Sequence, residues 1–157
     1  MTKQLAAGDQ MPSFNIDATG SGSISSQSLA GKKAVIFFYP KDDTPGCTKE
    51  SIAFSKFKGA FEAIDTVIVG ISADTIDKHD KFIAKHNLTI TLGSDPELDT
   101  LKAFGVWVEK SMYGRSYFGI ERSTFLVGKD GKIAQVWRKV KVPGHAEAVL
   151  EAASNLG

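Results

Sequence analysis

The sequence predicts an α/β fold, a central mixed sheet flanked by helices, and three observations carry that expectation. Residues 34–39 (Ala-Val-Ile-Phe-Phe-Tyr) and 66–72 (Thr-Val-Ile-Val-Gly-Ile-Ser) are continuous β-prone runs, the pattern of strands buried on both faces. Between them Ala53, Phe54, Phe57, Ala60, Phe61 and Ile64 fall on one face of a 3.6-residue period. Strand, helix and strand in this order form a βαβ unit, which implies a parallel pair with a right-handed crossover. Lastly, residues 123–127 and 132–137 read as hairpin arms joined by Gly128-Lys129-Asp130-Gly131. Antiparallel pairing therefore joins the parallel pair.

Ahead of this unit, Phe14, Ile16 and Ala18 alternate with polar neighbours and predict a short edge strand. The Gly- and Ser-rich residues 20–31 predict turns, with one further short strand near Ile24. Gly20-x-Gly22 lacks a third glycine and a preceding buried strand, so it makes no dinucleotide-binding motif. After the second buried run, a helix is expected over 75–86, a short strand over 89–92 and a brief helix over 96–104. An amphipathic helix from about His145 closes the chain, with Val149, Leu150, Ala153 and Leu156 inward. No repeat, linker or composition break appears, so one domain over residues 1–157 is expected.

Hydrophobic residues make up 42% and charged residues 24%, ordinary for a globular protein. Nineteen Lys and Arg against eighteen Asp and Glu leave a net charge of +1, no global field for nucleic acid or an anionic membrane. The basic stretch of Arg138, Lys139 and Lys141 reads as the solvated end of a strand. The opening residues lack the apolar stretch of a secretory signal, and the longest wholly apolar run, 34–39, is far short of a membrane span. One cysteine cannot make an internal disulfide. Asn87-Leu88-Thr89 fits the glycosylation acceptor pattern, but without a secretion signal it reads as accidental. A cytoplasmic location is expected.

The informative segment runs from Tyr39 through Asp42, Thr44 and Cys47 to Glu50. It lies beyond the carboxyl end of a buried strand, where open α/β sheets place ligands. Cys47 stands seven residues before Phe54, on nearly the same side as the apolar stripe, so its sulfur should be partly sheltered. A thiol in the first turn of a helix feels the partial positive charge of unpaired N–H groups, which favours the reactive thiolate. Lowering a thiol pKa by two units needs roughly 2.7 kcal/mol. The helix dipole supplies under ~1 kcal/mol, or up to ~2 in good sites. A fixed cation is needed, and periodicity does not name it. On spacing alone an inert buried cysteine is an equal alternative.

Pro40-x-x-x-Thr44-x-x-Cys47 resembles the peroxiredoxin signature, and residues 38–48 resemble its bacterioferritin-comigratory-protein, or PrxQ, branch. Residues 119–127, Gly-Ile-Glu-Arg-Ser-Thr-Phe-Leu-Val, are similar to the family's arginine-bearing strand, and residues 104–110, Phe-Gly-Val-Trp-Val-Glu-Lys, to another motif of the branch. The resemblance runs nearly end to end. It implies a thioredoxin-like fold and a thiol peroxidase that needs neither cofactor nor metal. Carried over, Cys47 is the peroxidatic nucleophile and Thr44 hydrogen-bonds the sulfur and the peroxide. Arg122 is the missing cation, Pro40 shields the site from water, and the N–H groups of Gly46 and Cys47 hold the peroxide oxygens. Glu50 either orients an arginine or simply faces solvent.

The chain departs from the family at its second cysteine. The places where relatives keep a resolving cysteine hold Ile52 and, by alignment of residues 82–85, Ile83. A one-cysteine cycle remains, with hydrogen peroxide or organic hydroperoxides as substrates. The expected partner is an external thiol reductant, thioredoxin or glutaredoxin with glutathione. Ile52, off the apolar face of its helix, is an exposed apolar spot or a partner contact. The aromatic-rich residues 104–118 line either a substrate mouth or a dimer contact, in a monomer or weak homodimer. A dithiol reductase would need Cys-x-x-Cys, which is absent. His79, His86 and His145 read as helix-surface residues rather than partners of a hydrolase thiol or metal ligands. The rival from another class is a non-catalytic thioredoxin-fold redox sensor or binding module.

Overall fold

The computed structural model describes residues 5–20 and 22–156. Seven strands form the main sheet: β1 (Asn15–Ala18), β2 (Gly22–Ser25), β3 (Lys33–Phe38), β4 (Thr66–Ser72), β5 (Thr91–Ser94), β8 (Ser123–Val127) and β9 (Ile133–Trp137). Their order is β2-β1-β5-β4-β3-β8-β9. β3, β4 and β5 run parallel, while β1 and β2 on one side and β8 and β9 on the other add antiparallel. The mixed α/β sheet is as expected. The edge strand is β2, however, since β1 is covered by pairing with β5.

Every residue of β3 is buried, and its alternation divides the core. Ala34, Ile36 and Phe38 face one layer, closed by α4 (Asp99–Ala103) and the residues around Phe14. Val35, Phe37 and Tyr39 face the other, against α1 (Pro45–Lys56), α2 (Lys58–Ala63), α3 (Ile76–His86) and α5 (His145–Asn155). Phe54 stacks on Phe37 with ring centroids 4.6 Å apart, so α1 lies on the central strand. Lys33 buries its ammonium at the foot of this layer, donating to the Ala153 and Leu156 carbonyls at 2.9 and 3.0 Å. It thereby satisfies the Leu156 carbonyl and shares that of Ala153 with the Leu156 N–H.

The segment expected as one helix between β3 and β4 breaks at Phe57 (φ −96°, ψ 7°), giving α1 and α2. Strand β5 begins two residues later than predicted, and α4 is shorter than predicted. Residues 107–120, overlapping the aromatic-rich segment 104–118, form a separate two-stranded hairpin of β6 (Trp107–Met112) and β7 (Arg115–Ile120). Among the described residues, no helix is long and apolar enough to cross a membrane.

Candidate active site

Thr44 caps α1 in an extended conformation, with Pro45 at the first helical position. The first intrahelical bond runs from the Thr48 N–H to the Thr44 carbonyl (2.8 Å). The N–H groups of Gly46 and Cys47 thus precede the helical ladder, and the Thr44 side chain caps neither. Cys47 is 1% exposed and packs in the same layer as Tyr39 and Phe54.

The cation that the helix dipole lacked stands beside the sulfur. Arg122, just before β8, donates from Nη2 to Cys47 Sγ at 3.3 Å and from Nη1 to Glu50 Oε1 at 2.7 Å. A Cβ on Gly46 would lie 3.1 Å from Nη2, so the absent side chain is the guanidinium's space. Burial works against the charge of Arg122, but the Glu50 carboxylate and the Cys47 sulfur outweigh it and raise the guanidinium pKa. Glu50 is 1% exposed, and its Oε2 is buried with no partner. Burial therefore lifts its pKa to about 7, with Arg122 pulling only part of the way back. Glu50 faces the arginine, not solvent.

Thr44 Oγ1 donates to the Lys41 carbonyl at 2.9 Å, so its proton is spent inside the loop while its lone pairs stay open. Pro40 is exposed at the head of that loop. Ile52 is 44% exposed, and Ile83 is half-buried against the helix-side core.

Two histidines depart from the surface reading. His79 is wholly buried, with both ring nitrogens engaged. His145 is also buried, with Nε2 2.8 Å from Thr124 Oγ1. Burial, aided by repulsion from Arg122, lowers its pKa to about 4, so it is neutral at physiological pH. Helical periodicity showed neither, because the partners belong to other elements. His86 does remain partly exposed, beside Asp43. Arg138 corrects the basic-stretch reading too. It donates to the Leu5 carbonyl (3.1 Å) and lies 5.7 Å over the Phe125 ring. The metal-capable atoms of Asp42, Asp74 and His79 lie within 4.8 Å of one another, tied together by internal hydrogen bonds.

A model of the AhpC/TSA family matches residues 7–136. The chain belongs to that family. Among curated relatives, peroxiredoxin Bcp of Bacillus subtilis is 40% identical over 152 residues, covering 97% of each chain. Peroxiredoxin Bcp of Xanthomonas campestris is 49% identical over 123 residues, 78% of this chain and 77% of that one. A cysteine-to-serine mutant of Xanthomonas campestris peroxiredoxin Q superposes with a TM-score of 0.89 at 41% identity, covering 96% and 98% of the two chains. A Xylella fastidiosa PrxQ mutant gives 0.90 at 37% identity over 98% of each. The family, the thioredoxin-like fold and a thiol-dependent peroxidase activity are thereby established. The non-catalytic sensor or binding module is not favoured. Peroxides as substrates and thiols as reductants follow for this AhpC/TSA member in general terms.

Proposed function

We propose that this peroxiredoxin works through a one-cysteine cycle in which Cys47 is the nucleophile and an external thiol completes turnover. The observation that carries this is the sequence's single thiol at the start of α1 with a guanidinium 3.3 Å from its sulfur. The thiolate attacks the terminal oxygen of a hydroperoxide, forming the S–O bond as the O–O bond breaks. The alkoxide or hydroxide that departs takes up a proton to leave as alcohol or water. Arg122, hydrogen-bonded to the sulfur, meets the charge growing on the departing oxygen. The Gly46 and Cys47 N–H groups grip the peroxide oxygens, and an open lone pair of Thr44 accepts a hydrogen bond from the peroxide O–H. Pro40 limits the approach of water.

The sulfenic acid left on Cys47 has no second cysteine to meet. An incoming thiol forms a mixed disulfide and expels water. A second thiol then releases Cys47 and carries away the disulfide. Thioredoxin, or glutaredoxin with glutathione, fills this role in the reducing cytoplasm. Hydrogen peroxide and organic hydroperoxides both serve as substrates. The working unit is one domain over residues 1–157, monomeric or a weak homodimer. The test is a turnover assay with each reductant in turn, beside Cys47→Ser. Wild type should consume many equivalents of peroxide and the variant none. Consumption of a single equivalent by wild type with every thiol would overturn the cycle.

A further inference from the structure

The loop over residues 40–44 is fastened to elements other than the helix it introduces. Asp42, buried, accepts the Tyr39 hydroxyl on Oδ1 at 2.6 Å, and its Oδ2 faces His79 Nδ1 at 2.6 Å. The Asp42 backbone N–H donates to Asp74 Oδ2 at 2.8 Å, which also accepts the Ser72 hydroxyl. On its far side, His79 Nε2 lies 2.9 Å from the Gly93 carbonyl in β5.

The protons in this cluster can be counted. A carbonyl only accepts, so Nε2 carries a hydrogen. Tyr39 keeps its own, because burial first and the adjacent Asp42 second raise its pKa well above the ordinary value. One more proton must lie between Nδ1 and Oδ2, since two bare lone pairs do not approach to 2.6 Å. With the proton on Nδ1 the pair is an imidazolium facing a carboxylate, a charge-assisted bond roughly twice as strong as a neutral one; with it on Oδ2 both groups are neutral, and the 2.6 Å bond is still buried away from water. Asp43 also reaches α3, at Lys85 and His86, but it is 42% exposed there and its pairs are correspondingly weak. Asp42 is the firm fastening.

We propose that Asp42 and His79, bridged by one shared proton, are a positioning pair that holds the loop before Cys47 in its peroxide-reactive arrangement, and that release of this pair admits the external thiol to the oxidised sulfur. The inference rests on the one-cysteine cycle above. A peroxide is small enough for a closed pocket, whereas a protein thiol must reach the sulfur of a residue that is 1% exposed. The two halves of the cycle thus ask opposite things of one loop. Thr44 is tied to Lys41 within that loop, so movement at Asp42 carries Thr44, Pro45 and Gly46 with it.

Asp42→Asn and Asp42→Ala separate positioning from folding. Asparagine can still accept from Tyr39 and donate to a neutral His79 Nδ1, so it keeps the shape and removes the shared proton. Alanine removes both contacts, leaving Tyr39 and His79 only the long 3.4 Å contact with each other, beside the Gly93 carbonyl that His79 keeps. Wild-type turnover is measured first, and its absence would overturn the cycle and this inference together. With turnover intact, stopped-flow peroxide oxidation of Asp42→Ala should slow by about 10- to 100-fold, the scale of removing the partner of a buried polar group. Reduction of its sulfenic acid by thioredoxin should accelerate by up to the same factor, amides 44–50 should exchange faster, and Asp42→Asn should fall between. Independently of activity, wild type should show a far-downfield His79 Nδ1 proton resonance that Asp42→Asn lacks. If both half-reactions slow together or neither moves, or if that resonance is absent from wild type, the inference is overturned while the cycle stands.

Discussion

Arg122 spends two nitrogens of one planar fork on two different acceptors, Cys47 and Glu50. Lysine, a single point charge, would reach one of them. Arg122→Ala should slow peroxide attack by the Cys47 sulfur at every pH, because a donor beside the reacting atoms is lost. Its cost should be on the order of 100-fold, the scale of one lost transition-state donor. An unchanged rate would remove Arg122 from the chemistry. Gly46→Ala should act in the same direction more mildly, by driving a methyl towards Nη2, and stopped-flow oxidation would register it. Cys47 was legible from its place at a helix start, but Arg122 became so only through the resemblance, being 75 residues away. Glu50 stayed undecided in sequence because one turn after Cys47 can face solvent or strand alike. His79 and His145 were misread since their partners, Asp42 and Thr124, come from a loop and a strand that helical spacing does not see.

At the scale of elements, buried strands were the easiest to read: β3 and β4 are apolar on both faces and need no partner to announce themselves. The β6–β7 hairpin was not recognised as strands, because a mostly exposed ribbon has too few buried positions to impose alternation. Its signal was the turn. Tyr113 and Gly114 both have positive φ, 54° and 76°, as a type I′ turn requires. Glycine accepts this freely, whereas tyrosine does not, and Tyr113 is 97% exposed, with nothing gained by packing. Tyr113→Asn should therefore slow amide exchange across residues 107–120. Gly114→Ala should speed it, each by about 1 kcal/mol in local opening energy, with the main sheet unaffected. Exchange that stays uniform in both variants would place the hairpin's stability outside its turn. The break at Phe57 escaped notice because the apolar spacing continues across it from Phe54 to Phe61.

For the molecule as a whole, one buried carboxyl writes a pH dependence into stability. Glu50 titrates near 4.5 when unfolded and at about 7 when folded. Below about 4.5 both states hold the proton and no penalty exists. Between the two values the folded state retains a proton that the unfolded state has released, so stability falls as pH rises. Above about 7 the full cost, on the order of 3 kcal/mol, is in place. Glu50→Gln should remove this slope. Its stability relative to wild type, from urea unfolding, should climb between about pH 4.5 and 7 and stay level outside that window. A constant difference would mean that Glu50 is ionised throughout. The distance along the chain between Cys47 and Arg122 has another consequence. Arg122 reaches the sulfur only when β8 has paired with β3, a closure between segments far apart in the chain. Contacts of that kind form late, after their loop entropy has been met. A nascent or refolding chain consequently carries its cysteine without the guanidinium donor, a slower nucleophile towards peroxide until assembly is finished. The moment at which it begins to destroy peroxide is a clock for the completion of its own folding.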